Sequence, residues 1–235
     1  DNMQSLIKQF QGTDIGIIAV GTTPLAYKRE LQFVTGVDNI RVSLGFHPQL
    51  VKQRENEIDL FLQQLEKARY IGEIGLDFNQ DYMDSKMQQL ISFQKIVERC
   101  AIEGDKVLSI HSVKAAGAVV DILKEARTFQ SCKCIFHWFT GKASERKAAV
   151  ENGAYFSVNS KMLKTKSGQE TIRNIPANRI LLETDAPFTM KFNSVNDLYN
   201  ELKNIARGIS HIRGEDIVSQ IEDNSMSVFN NLCGK

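Results

Sequence analysis

Three of the four histidines in this 235-residue chain stand where a short apolar run ends. His47 closes Leu44-Gly45-Phe46-His47-Pro48, His111 follows the run at 107–110, and His137 closes the run that starts at Cys134. Two acidic residues, Glu73 and Asp77, fall in Gly72-Glu73-Ile74-Gly75-Leu76-Asp77, and Asp185 follows the run at 180–182. Imidazole and carboxylate together are the donor set for zinc, manganese or a mixed divalent site. As purely structural groups in a core, each of these residues would need its own partner and would cost stability without one. Their repeated position at run ends therefore points to a metal-binding hydrolytic centre. The fourth histidine, His211, lies in a polar C-terminal stretch and reads as surface.

The elements that must position these residues alternate in period. Apolar runs at 15–20, 40–46, 70–76, 107–110, 134–139, 154–158 and 180–182 are rich in Ile and Val and lack polar alternation, as strands buried on both faces do. Between them, Ile58, Phe61, Leu62 and Leu65 fall on one helix face, and Met87, Leu90, Ile91, Val97 and Ala101 mark a longer helix ending at Gly104. Ala115, Ala118, Val119 and Ile122 mark another, and Leu198, Leu202 and Ile205 one after the final strand. Strands alternating with helices give parallel βαβ units, and closure of such a sheet gives an α/β, (β/α)8 TIM barrel with its active site at the C-terminal strand ends. An open doubly wound sheet is disfavoured, because no G-x-G-x-x-G follows the first strand. Seven runs are counted where such a barrel has eight, and residues 3–10 read as a helix, so the first strand is expected upstream of Asp1. Residues 1–235 are expected to form one barrel domain.

Bulk charge carries no nucleic-acid signal, with 29 basic and 28 acidic residues, so any phosphate affinity must come from local clusters or bound ions. Cys132 and Cys134 flank Lys133 too closely for an easy mutual disulfide and lack a second pair for structural zinc. Together with Cys100 and Cys233 they read as reduced structural thiols of a cytoplasmic protein. No apolar stretch is long enough to span a membrane, and none at the start reads as a signal peptide.

The motifs Gly45-Phe46-His47-Pro48, Gly72-Glu73-Ile74-Gly75-Leu76-Asp77, His111-Ser112, His137-Trp138-Phe139-Thr140-Gly141 and Glu183-Thr184-Asp185-Ala186-Pro187 resemble, in order and spacing, those of the TatD-type metal-dependent deoxyribonucleases. Asp223-Asn224 followed by Val228-Phe229 fits that family's closing helix. Thr22-Thr23-Pro24, His47-Pro48-Gln49-Leu50 and Phe156-Ser157-Val158 further resemble the TatD-like component of the Qat anti-phage defence systems.

The resemblance implies a DNA phosphodiesterase using divalent ions (Mg2+, Mn2+ or Zn2+), two in a complete site. Glu73 would bridge them, His111 and His137 would hold the second ion, and Asp185 would help to hold the first and orient the attacking water. His47 would contact the scissile phosphate. Glu73, Asp185 and His47 are thus the expected catalytic residues, and Glu73, His111, His137 and Asp185 the expected ligands. Defence-system proteins are the implied partners. A TatD-like subunit that binds such partners with little or no catalysis is the alternative, and hydrolysis of an amide or another ester is a variant within enzymes.

Three features depart from the family pattern. Its opening His-x-His strand has no match, Val113 stands where many members carry Arg, and residues 188–196 lack the usual polar segment after the Asp-Ala-Pro motif. Glu183 shares a strand face with Asp185 and either orients a ligand or pairs with a Lys or Arg. Lys161, Lys164 and Lys166 crowd the loop after the 154–158 run, where they serve as phosphate contacts or as solvated charges. Trp138 and Phe139 offer a base-stacking face or pack beneath the site.

Overall fold

The computed structural model describes residues 2–229. Helix α1 (Asn2–Gln9) leads to β1 (Ile17–Val20), α2 (Pro24–Phe33), β2 (Ile40–Ser43), α3 (Val51–Arg54) and α4 (Ile58–Leu65). Then come β3 (Tyr70–Asp77), α5 (Lys86–Glu103), β4 (Val107–Val113), α6 (Ala116–Glu125), α7 (Thr128–Ser131) and β5 (Lys133–Phe136). The chain continues through α8 (Ala143–Glu151), β6 (Tyr155–Val158), α9 (Lys166–Asn174), β7 (Ile180–Leu182), α10 (Val195–Arg213) and α11 (Val218–Phe229).

All strand pairs are parallel, and spatial order follows chain order. β2 joins β3 through the Leu44–Ile71 bridge, with Phe46 N–H donating to the Glu73 carbonyl at 3.0 Å. A doubly wound sheet would reverse its order at a switch point. The unbroken succession, each strand followed by a covering helix, is that of a TIM-type barrel. Each of the seven apolar runs is a strand, extended or trimmed by a few residues.

The strand side chains Leu44, Phe46, Ile71, Ile74, Leu76, Ile110, Phe136 and Phe156 pack with the covering helices in one large core. Phe136, Phe139 and Phe156 pack ring on ring with centroids 5.4–5.9 Å apart, so Phe139 belongs to this packing. On α5 the buried face is Phe93, Ile96, Val97 and Cys100, while Met87 and Ile91 are exposed. The helix is apolar on more than one side, and Phe93 with its neighbours fills the groove against β3.

The opposite end of the barrel is stoppered by α11. Asn224 donates to the Ala177 and Ile180 carbonyls at 2.8 Å, Tyr70 donates to the Phe229 carbonyl, and Val228 packs with Tyr70, Val107, Ile135 and Leu181 near strand starts. A satellite cluster of Phe10, Val37, Ile40, Val195 and Leu198 ties α1 and α10 to the β1–β2 side. Cys100, Cys132 and Cys134 are free thiols, and burial pushes the pKa of each up, so they are poor nucleophiles; Cys233 lies outside the described residues. Among the described residues no helix is long and apolar enough to cross a membrane.

Glycine is required where strands converge. A Cβ on Gly75 (φ 136°) would overlap the His111 carbonyl oxygen, and one on Gly45 would overlap the Gly21 carbonyl. Gly36 shares a positive φ (81°), but a Cβ there meets nothing within 4 Å. Gly75→Ala should therefore cost about 3 kcal/mol or more, from overlap added to backbone strain. Gly36→Ala should cost about 1–2 kcal/mol from the left-handed conformation alone. Urea unfolding of both variants checks this, and equal losses would refute the close-approach argument.

Candidate functional site

The site is assembled at the strand C-termini. Glu73 lies within β3, where the β3–β4 register shifts between Ile71 and Ile74, and only 8% of its surface is exposed. Both of its oxygens face imidazoles. Oε1 lies 2.7 Å from His111 Nδ1 and 3.9 Å from His137 Nε2, and Oε2 lies 3.5 Å from His47 Nε2. His47, Glu73 and His111 each offer a ligand atom within 4.8 Å of the others. Asp185, just past β7, places Oδ1 3.4 Å from His137 Nε2. The structure thus brings the five expected residues together, with His47, His111, His137 and Asp185 grouped about the buried Glu73 carboxylate.

Each imidazole is oriented by a second group. The His47 ring accepts from the Gln49 backbone N–H at Nδ1, 3.3 Å away, which leaves Nε2–H turned to Glu73 in the neutral tautomer. His111 Nε2 lies 2.9 Å from Asp77 Oδ2, an oxygen that also accepts from Gln49 Nε2 at 2.8 Å. His137 Nδ1 lies 2.6 Å from Glu183 Oε2, so Glu183 is the orienting partner of His137 and not the mate of a Lys or Arg. Glu183 in turn accepts from Ser157 Oγ and from Asn159 Nδ2. Carboxylates behind ligating histidines fix tautomer and ring angle.

Asp77 stands among the run-end acids in the sequence but lies behind His111 as its orienting partner, whereas Gln49, Ser157 and Asn159 carry no comparable signal. Asp77 carried a usable signal, since it shares strand β3 with Glu73 four residues away. The other three are visible only once loops from different strands meet.

Charge explains how so many acids coexist here. Burial alone would raise the Glu73 pKa, but hydrogen bonds from His111 and His47 and the charge of His137 hold it well below the usual carboxylate range. Burial would lower the His111 pKa, yet its bonds to Asp77 and Glu73 hold it at about 9. His137 is likewise driven against its burial to about 10, chiefly by Glu183. Asp185 goes the other way, to about 6, because burial and the neighbouring Glu183 and Glu73 outweigh the attraction of His137.

The donor set fits a divalent cation. Oxygens of Glu73 and Asp185 and ring nitrogens from three strands converge, and protons on His111 and His137 supply the positive charge that the oxygens require. His47, Glu73 and His111 place ligand atoms close enough together to share an ion, with His137 and Asp185 alongside.

A parallel barrel with imidazoles and carboxylates gathered at one mouth defines a metal-dependent hydrolase of the (β/α)-barrel class. Within that class, residues 1–230 match the family described as TatD related DNase, and the chain belongs to it. It is 29% identical over 225 residues, 91% of this chain and 83% of the relative, to an uncharacterized metal-dependent hydrolase of Buchnera aphidicola. It is 26% identical over 213 residues, 86% of this chain and 81% of the relative, to the 3'-5' ssDNA/RNA exonuclease TatD of Escherichia coli K12. Its fold superposes on the crystal structure of a TatD homologue from Escherichia coli K12 with a TM-score of 0.79 at 21% identity, covering 92% of this chain and 86% of that one.

Ion binding at these nitrogens must displace protons. With His111 and His137 at about 9 and 10, both carry protons at neutral pH in the metal-free protein. Affinity for Zn2+ or Mn2+ should therefore rise about 10-fold per pH unit for each proton displaced, roughly 100-fold or more from pH 6 to 8. Calorimetry in buffers of different ionisation enthalpy reads the proton release directly, and pH-independent affinity would refute this account. For stability the sign follows from both pKa values being raised. Their contribution is full below pH 6.5 and is lost as pH rises through about 9–10, so Tm of the metal-free protein should fall there.

Proposed function

We propose that this protein hydrolyses phosphodiester bonds of DNA. The observation that carries the reading is Glu73, a buried carboxylate faced by imidazoles on both oxygens, with Asp185 across from His137. Glu73, His111, His137 and Asp185 would hold the divalent ions, two in a complete site, on which such hydrolysis depends. When bound, such ions polarise the phosphate and lower the pKa of an attacking water. The family description and the nuclease names carried by relatives support DNA as substrate.

The chain's own residues divide the remaining work. Asp185, ionised above pH about 6, accepts the water proton at a carboxylate oxygen. Glu183 holds His137 with Nε2 turned inward, and Asp77 does the same for His111 through Nε2, leaving Nδ1 on Glu73. His47, with Nε2–H directed into the site, donates to an oxygen of the scissile phosphate. The motif resemblance around Thr22-Thr23-Pro24 and His47-Pro48-Gln49-Leu50 supports a setting in cytoplasmic anti-phage defence with partner proteins.

Purified protein with Mg2+, Mn2+ or Zn2+ should degrade DNA, and chelation should stop it. Glu73→Gln and His111→Ala should each lower kcat/KM by about 100-fold or more, since even groups behind a ligand are worth 10–100-fold. A cooperative thermal transition and a native circular-dichroism spectrum in the variants separate lost chemistry from lost fold. Amide and carboxylic ester substrates assayed alongside decide the bond class. Full activity in either variant, or hydrolysis confined to amides, would overturn the proposal.

A further inference from the structure

One large aromatic side chain at the mouth is exposed without an evident structural reason. Phe188 follows Asp185 by three residues and is 77% exposed. Its backbone is nonetheless pinned. Phe188 N–H donates to the Asp185 carbonyl at 2.9 Å, Lys161 Nζ donates to the Phe188 carbonyl at 3.1 Å, and Thr189 Oγ1 donates to the Thr184 carbonyl. The same Lys161 Nζ lies 5.4 Å from the centroid of the half-buried Trp138 ring, next in sequence to His137.

Lys161 is itself fixed from below. Asn159, fully buried, accepts the Lys161 and Met162 backbone N–H groups at 3.0 and 3.1 Å and donates to Glu183 Oε1 at 2.8 Å. The carboxylate that orients His137 thus also anchors the loop carrying Lys161. An exposed ring and an ammonium group held on fixed turns beside Asp185 match the two parts of a nucleotide, a flat base and an anionic phosphate.

Resting on the phosphodiesterase reading above, we infer that Phe188 stacks on the base of the nucleotide whose phosphate enters the site, with Lys161 contacting a flanking phosphate. The other lysines of that loop, Lys164 and Lys166, are not needed for this contact. Phe139 is excluded from it, being buried in the barrel packing. The subsite reads the presence of a base and not its identity, since every base offers a π face.

The test uses Trp138, the one tryptophan of the chain, as a fluorescent reporter. The protein with its metal retained is titrated with a cleavage-resistant phosphorothioate oligothymidylate and with an abasic phosphorothioate of equal length. The base-bearing oligomer should bind about 5- to 150-fold more tightly, the range for one stacked base. Phe188→Ala should erase that preference, and Phe188→Tyr should keep it. Lys161→Ala should weaken both oligomers and flatten the salt dependence by about one charge. With cleavable substrates, the ratio of kcat/KM for thymidylate over abasic DNA should fall by the same factor in Phe188→Ala. Equal binding of the two oligomers by the parent protein, no binding of either, or a preference that survives Phe188→Ala overturns the inference. Failure to hydrolyse either substrate overturns the nuclease reading instead, and the binding preference still judges Phe188.

Discussion

The burial of the Glu73 carboxylate is the constraint on which the rest of the mouth depends. A carboxylate removed from water is stabilised only by charge or hydrogen bonds brought to it, and leaving it unpaired would cost several kcal/mol. Here the compensation comes from three rings carried by three loops and strands, so each must be held at the right angle. That requirement propagates outward. His111 calls for Asp77 and His137 for Glu183. Asp77 then needs Gln49 and Asn79, and Glu183 needs Ser157 and Asn159. The polar layer is a set of buried acids, each satisfied by a neighbour whose own position it helps to fix.

The strands must come unusually close for this layer to form, and the backbone is built accordingly. Gly21 and Gly45 face each other between the ends of β1 and β2, with Glu73 N–H donating to the Gly21 carbonyl at 2.8 Å. Gly72 lies with Glu73 inside the register shift of β3 and Gly75 just beyond it, each with a positive φ. Any side chain at Gly45 or Gly75 would separate strands whose contact the site requires. The glycines inside Gly72-Glu73-Ile74-Gly75 are therefore explained by space between neighbouring backbones, while the Glu is explained by its partners.

Most of this architecture was legible in the sequence because burial on both faces leaves a mark that periodicity detects. Every apolar run became a strand, the helix before Gly104 ends there, and the residues closing the runs meet at the mouth. What stayed hidden was pairwise. Glu183 could be placed on the same face as Asp185, but whether it met a histidine or a cation depended on the loop after β5, far away in the chain. Gln49 reads as one more polar residue after His-Pro, although its backbone N–H donates to His47 Nδ1 and its side chain to Asp77. Along α5, Met87 and Ile91 are among the apolar residues that mark the helix but are exposed, and the buried face is carried by Phe93, Ile96, Val97 and Cys100. Sequence pattern reports which residues leave water; it does not report whom they meet.

The two ends of the barrel differ in what they ask of the backbone and of charged groups. Five described non-glycine residues have positive φ, and three of them, Lys114, Trp138 and Asp185, lie at or just beyond the C-terminal ends of β4, β5 and β7. Such conformations each cost about 1–3 kcal/mol and persist only where surrounding contacts over-determine them. At the stoppered end, α11 is held by hydrogen bonds to strand-start carbonyls, by Lys133 Nζ donating to the Ser227 carbonyl and by an apolar cluster, contacts that add stability away from the buried acids of the mouth. The mouth is the reverse case. Its turns are strained, its acids are buried, and its charge balance relies on protons that a metal ion would displace. Stability accumulated at one end therefore offsets the cost of the strained and charged arrangement at the other.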